Sequence, residues 1–179
     1  MNCTLVAGLA AALGQPENKT APLTGWLAIE AALRQTDPLR FGKEPWCQRQ
    51  GERFLDKAAF LAREAEGRPA KLFAAFDREF AETEPWEAQV PFVVMFACAR
   101  LCDGDPLGTL ALTTEWIKDT DSYPQLAGAV IGAMRGSKIF PPTIRAAVEN
   151  GLRVDYGESL NEWLGILQPA AELAHPGDR

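Results

Sequence analysis

Residues Trp116 to Pro142 read WIKDTDSYPQLAGAVIGAMRGSKIFPP, and the rest of the chain is best read outward from them. An acidic cluster, Asp119-Thr120-Asp121-Ser122, stands immediately before a segment with helical spacing of Leu126, Val130, Ile131 and Met134. That segment carries Gly128, Gly132 and Gly136 at every fourth position, with Ala129 and Ala133 beside them. Glycine in a helix interior costs about 1 kcal/mol relative to alanine. Three in register therefore predict a close approach, with a neighbouring helix packed nearly backbone to backbone. The helix is expected to start after Ser122 and to end near Gly136.

The flanking sequence is helical as well. Upstream, Trp86 to Leu101 is apolar nearly all round, which places it at the centre of the core. Asp105-Pro106 is a helix start, with aspartate as cap and proline in the first turn, and that helix runs to about Trp116. Earlier segments with one apolar face are Thr4 to Leu13, Leu23 to Leu33 (Leu23, Trp26, Leu27, Ala31), Gln48 to Glu66 (Phe54, Leu55, Ala58, Ala59, Ala62) and Lys71 to Phe80 (Leu72, Phe73, Phe76, Phe80). Gly67 and Pro69 are read as closing the third of these. Gln35 to Pro45 reads as a loop. Downstream, Pro141-Pro142 break the chain before helices over Thr143 to Asn150 and Ser159 to Leu167, and His175 to Arg179 reads as a frayed tail. No alternating strand pattern and no internal repeat is found. The expectation is an all-α, compact multi-helix domain spanning 1–179.

Composition excludes several functions. The chain has 179 residues and 47% hydrophobic residues, enough for one core. Its net charge of −6, from 18 basic and 24 acidic groups, argues against a nucleic-acid binder and against docking on an anionic membrane. The N-terminal MNCTLVAGLAAALG lacks the positive start of a signal peptide, and no apolar run is long enough to span a bilayer. A cytoplasmic location with free thiols is expected for Cys3, Cys47, Cys98 and Cys102. Cys98 and Cys102 share one helix face. With His175 as the single histidine, core packing is a better account of them than zinc binding.

On spacing alone, Ser122 with Gln125 three residues on is a capping-box pattern, and acidic groups suit the helix dipole. The same residues offer hard oxygen donors of the kind Mg²⁺ accepts. Glu115 is a candidate supporting carboxylate, although a solvated helix face is the commoner role. Trp116 and Tyr123 flank the cluster and could stack on an adenine-like ring, core packing being the plainer role for Trp116.

Asp-Thr-Asp-Ser followed by Ala127-Gly128-Ala129, Gly132-Ala133 and Ile139-Phe140-Pro141 resembles the second metal-binding motif of ADP-ribosylglycohydrolases. Val90 to Leu101, Asp103-Gly104-Asp105 and the helix to Trp116 resemble the approach to that motif, so the resemblance covers about 86–142. It implies a helical fold holding Mg²⁺, two ions in the complete family site, with Asp119, Asp121 and Ser122 as metal ligands. It further implies hydrolysis of the bond between ADP-ribose and its acceptor. The partner would be an ADP-ribosylated protein or a small ADP-ribose-containing molecule. The metals would orient ribose hydroxyls and position water as positive charge develops at the anomeric carbon.

Two departures stand out. The family's glycines before the first aspartate are replaced by Ile117 and Lys118, and Lys118 is placed to compete with a cation. The family's Thr-Asp-Asp-Thr motif has no counterpart, since no adjacent Asp pair occurs; Thr36-Asp37 and Thr83-Glu84 are the nearest fragments. The expectation is a domain truncated at the N-terminus and cut off from the half that completes the site. Its alternatives are a non-catalytic relative serving as a binding or structural module, and a site completed by a second chain. No catalytic or substrate-binding residue is assigned from the sequence.

Overall fold

The computed structural model describes residues 22–36, 50–87 and 89–165. The helix expected over Thr4–Leu13, most of the loop to Pro45, Cys3, Cys47 and the tail from His175 lie outside them. The helices are α1 (Pro22–Thr36), α2 (Gln50–Glu64), α3 (Pro69–Glu79), α4 (Gln89–Leu101), α5 (Pro106–Glu115) and α6 (Ser122–Arg135). A 3₁₀ turn at Ser137–Ile139, α7 (Pro142–Gly151), a π-helical turn at Leu152–Tyr156 and a helical segment, α8, at 160–165 follow. Among the described residues there is no strand, as the spacing predicts. The backbone divides into two compact units, Met1–Gly136 and Ser137–Arg179, where the sequence reading takes 1–179 together.

In the first unit α4 is the central element, packed against α1, α2, α5 and α6. Val90 and every residue from Phe92 to Ala99 are buried, so the all-round apolar sequence has its expected meaning. Aromatic edges tie the neighbours to it. Trp26 of α1 meets Phe96 edge-on at 5.6 Å between ring centres, and Phe54 of α2 meets Phe92 at 6.4 Å. The helix starts at Gln89, three residues later than expected, because Glu84–Glu87 form a turn and leave Trp86 73% exposed.

Several boundaries move for identifiable reasons. Pro69 opens α3 instead of closing α2, because its missing N–H and fixed φ suit a first helical turn. The chain turns at Glu66 (φ 51°) and Gly67 (φ 72°) before it. On α1 the buried positions are Trp26, Ile29, Glu30 and Leu33, and Leu27 is 41% exposed. The face is rotated from the expected one because Glu30 points inward to pair with Arg100 of α4.

At Gly128 and Gly136 the glycine expectation needs correcting. A methyl group at Gly128 would meet only the Leu110 side chain, at an ordinary 3.7 Å, and one at Gly136 would meet nothing within 4 Å. No backbone presses on either position. Gly136 instead ends α6 with φ 72°, a conformation that favours glycine. Tight glycines lie elsewhere: Gly25 of α1, where a methyl would stand 3.1 Å from Met134 Sδ, and Gly108 in α5. A methyl there would lie 3.0 Å from Asp105 Oδ2 and 3.1 Å from Cys102 Sγ. Asp105 caps α5 by accepting the Gly108 N–H at 2.6 Å, and side-chain bulk would push that carboxylate away.

Candidate metal centre

Residues 116–123 form the connection between α5 and α6, and aromatic stacking holds both of its ends. Trp116, the C-cap residue of α5, is 5% exposed, and Tyr123, in the first turn of α6, is fully buried. Their rings stack at 5.6 Å with only 14° between planes. Trp116 also packs on Phe76 (5.0 Å) and Phe80 (6.1 Å), and its indole N–H donates to Asp77 Oδ1 of α3 at 3.1 Å. The Tyr123 hydroxyl donates to the Pro85 carbonyl at 3.0 Å. The two rings are committed to each other and to the core. Neither offers a face to a ligand, so Tyr123 joins Trp116 in the packing role. Burial, with the Asp119 charge adding to it, raises the Tyr123 phenol pKa and keeps the hydroxyl protonated as a donor.

The clamped loop presents the acidic cluster. Asp119 is half-buried, Ser122 half-buried and Asp121 exposed. The capping arrangement differs from the expected box. Ser122 is the first residue of α6, and Asp121 stands before it without a side-chain cap bond. The role passes to Asp119, whose Oδ1 accepts the Ser122 N–H at 3.2 Å. Burial, the largest single cause, raises the Asp119 pKa. This is outweighed by interactions with the Asp121 carboxyl, the Ser122 amide and hydroxyl, and the Asp121 amide, so the net shift is downward. Asp119 and Ser122 thus come together through the amide bond, with Asp121 between them in the chain. Asp119 is anionic at neutral pH, and one of its two oxygens is occupied by the helix amide.

A depressed carboxylate pKa contributes stability above the unfolded-state value of 3.8, lost as pH falls through the folded-state value. Asp119→Asn is expected to flatten the dependence of stability on pH below about pH 4, where the wild-type carboxylate takes up its proton. Urea unfolding of both chains across that acid range checks this. Parallel curves would remove the capping role.

The other sequence candidates have other surroundings. Lys118 places its Nζ 4.0 Å from Asp77 Oδ1, so α3 supplies its counter-charge. Ile117 is 83% exposed. Glu115 is exposed, which is the solvated-face role, and its charge adds to the rise of the Cys98 and Cys102 pKa values. Both cysteines are free; burial, foremost among several causes, raises their thiol pKa values, as core thiols require. Asp77 and the Pro85 carbonyl were not legible as anchors of the loop, being 39 and 38 residues from their partners with no motif to mark them.

As a donor set, two carboxylates and a hydroxyl fit a hard divalent cation in chemistry. In number they make a partial shell: no group of three or more His, Cys, Asp or Glu side chains suited to a metal is found among the described residues. No helix among the described residues is long and apolar enough to cross a membrane.

No curated protein and no solved structure matches the chain. A family model does, that of ADP-ribosylglycohydrolase, and it matches residues 1–174, far beyond the 86–142 segment on which the resemblance was read. The helical fold, the clamped Asp119–Ser122 loop and a match over nearly the whole length lead to one statement: the chain belongs to the ADP-ribosylglycohydrolase family.

Proposed function

We propose that the chain is a Mg²⁺-dependent hydrolase unit that removes ADP-ribose from a protein side chain or a small-molecule acceptor. The observation that carries this is the Asp119 carboxylate bonded to the Ser122 amide, with Asp121 next to Ser122 in sequence, on a loop whose two ends are locked by stacking. Asp119, through the oxygen not bound to the helix amide, Asp121 and Ser122 would hold the metal. When bound, Mg²⁺ would supply fixed positive charge that orients hydroxyl oxygens and lowers the pKa of bound water. The chain's own contribution is preorganisation. Trp116 and Tyr123 fix the two ends of the loop, and Asp77 of α3 accepts the Trp116 indole N–H. A rigid loop loses less entropy on gripping an ion.

The test is isothermal titration of Mg²⁺ and then ADP-ribose into wild type and Asp121→Asn. Wild type is expected to bind Mg²⁺, and to bind ADP-ribose more tightly when the metal is present. Losing one anionic donor is expected to weaken Mg²⁺ binding by about tenfold or more, on the scale of a charge-assisted contact. Wild type that takes up no ADP-ribose at any Mg²⁺ level would remove the proposal.

A second reading has its own observation: the donor set is partial among the described residues, and Ile117-Lys118 stand where the family has glycines. In that reading the chain is a non-catalytic relative that binds without hydrolysing. Release of free ADP-ribose from an ADP-ribosylated protein by the purified chain would exclude it.

A further inference from the structure

The two polar anchors of the α5–α6 connection belong to one short stretch of chain. Trp116, where the connection begins, donates its indole N–H to Asp77 Oδ1 at 3.1 Å. Tyr123, where it ends, donates its hydroxyl to the Pro85 carbonyl at 3.0 Å. Asp77 stands in the last turn of α3 and Pro85 precedes α4, so the α3–α4 connection is tied to the α5–α6 connection at both ends. Much of the stretch between the anchors is closed into turns. The Phe80 N–H donates to the Phe76 carbonyl at 2.9 Å, Thr83 to Phe80 at 3.2 Å, Glu87 to Glu84 at 2.9 Å and Val90 to Glu87 at 2.8 Å. Each closed turn fixes backbone dihedrals, so the frame itself holds the spacing of Asp77 and Pro85. Phe80, 7% exposed, also packs against Trp116.

The Asp119–Ser122 cluster lies wholly between the two anchored ends. Its hydrogen bonds run within the cluster and into α6: Asp119 Oδ1 accepts the Ser122 N–H, and the Asp121 carbonyl accepts the Gln125 N–H at 3.1 Å. Its place in the unit is therefore set at Trp116 and Tyr123. Lys118 Nζ, 4.0 Å from Asp77 Oδ1 with both side chains over half exposed, adds little to that. We propose that residues 77–85 are a positioning frame for the candidate cation loop, with the Asp77 carboxylate and the Pro85 carbonyl as its two contacts. What the loop holds rests on the proposed function; how the loop is held rests on these hydrogen bonds. Asp77 and Pro85 act through Trp116 and Tyr123, and groups standing behind metal ligands govern affinity by fixing ligand geometry.

The test uses the full chain and three variants, Asp77→Ala, Asp77→Asn and Tyr123→Phe. Asparagine keeps an oxygen that can accept the indole N–H, and alanine does not. Tyr123→Phe keeps a ring against Trp116 and removes only the hydroxyl. Two quantities are read: amide hydrogen exchange at Ser122 relative to Met95 in the buried middle of α4, and Mg²⁺ affinity by isothermal titration. Asp77→Ala and Tyr123→Phe are each expected to speed exchange at Ser122 about fivefold more than at Met95, the worth of one hydrogen bond. Each is expected to weaken Mg²⁺ binding about tenfold, the low end for groups behind metal ligands. Asp77→Asn should stay within about threefold of wild type on both measures. A frame that merely stabilises the fold would change Ser122 and Met95 together, and that result overturns the proposal. So does an asparagine variant as impaired as alanine, and so does wild-type Mg²⁺ affinity in both Asp77→Ala and Tyr123→Phe. If wild type binds no Mg²⁺, the proposed function fails, and the ratio of exchange at Ser122 to that at Met95 still decides whether the frame holds the loop.

Discussion

Replacing Trp116 by alanine is expected to destabilise the protein by about 4 kcal/mol, the scale of Trp-to-Ala changes in well-packed cores. Three aromatic neighbours surround the ring, Phe76, Phe80 and Tyr123, and the cavity left behind is bounded by rigid side chains that cannot collapse into it. The indole N–H bond to Asp77 is lost with the ring. For a chain of this length the midpoint of thermal unfolding should fall by roughly 10 °C, at 2–4 °C per kcal/mol. Trp116→Phe separates the two contributions. It keeps a ring against Tyr123 and removes the indole donor, so its cost should be about 1–2 kcal/mol, that of one hydrogen bond and a small void. Asp77 stays half solvated, which holds that cost down. Thermal and urea unfolding followed by circular dichroism checks both. An alanine variant within about 1 kcal/mol of wild type would show that the stacked pair does not hold the loop, and the preorganisation argued for Asp119 to Ser122 would go with it.

The contrast between what was and was not legible in the sequence follows the range of the interactions. Local rules worked well. The burial of the apolar run of α4, the Asp105-Pro106 start of α5 and the end of α6 at Gly136 depend on residues within a turn or two and follow the spacing, while α4 starts three residues later and α6 one residue earlier than expected. Pro69 shows where the local rule is two-valued, since proline punctuates a helix on either side and only the turn at Glu66-Gly67 decides which. In the glycine stripe of α6, Gly128 and Gly136 were misread for a different reason. Glycine permits a close approach without requiring one, and what lies opposite Gly128 is a side chain from α5. In the candidate centre, the cluster itself was legible as Asp-x-Asp-Ser. Its support was not, because the Trp116–Asp77 and Tyr123–Pro85 bonds join residues 39 and 38 apart. The same limit hid the inward turn of Glu30, which no periodic pattern would place in a core.

Glu30 is the second position at which a large effect is expected. Its carboxylate is 5% exposed and accepts both Nε (2.9 Å) and Nη2 (2.5 Å) of Arg100, a bidentate pair that joins α1 to α4 across 70 residues of sequence. Removing one partner of a buried pair costs about 3–5 kcal/mol, because the remaining charge is left without compensation. Here the Arg100 side chain retains 25% exposure, so water recovers part of the loss and Glu30→Ala should cost about 2–3 kcal/mol. The surface pair Arg68–Glu66 provides the comparison. It closes to 2.8 Å, yet both side chains are well over half exposed and Lys71 shares the same carboxylate, so Glu66→Ala should cost far less than Glu30→Ala. Distance alone does not rank these pairs; solvent does. The double replacement Glu30→Met with Arg100→Met separates the pair's net worth from the penalty of breaking it. It removes both charges while keeping comparable volume, and it should recover most of the single-variant loss, because a packed apolar pair does about as well as a buried ionic one. Urea unfolding of the two single variants and the double completes the cycle. If Glu30→Ala and Glu66→Ala lose equal stability, the pair is solvated in solution, and the rotation of α1 that turns Glu30 inward and Leu27 outward is not enforced by charge.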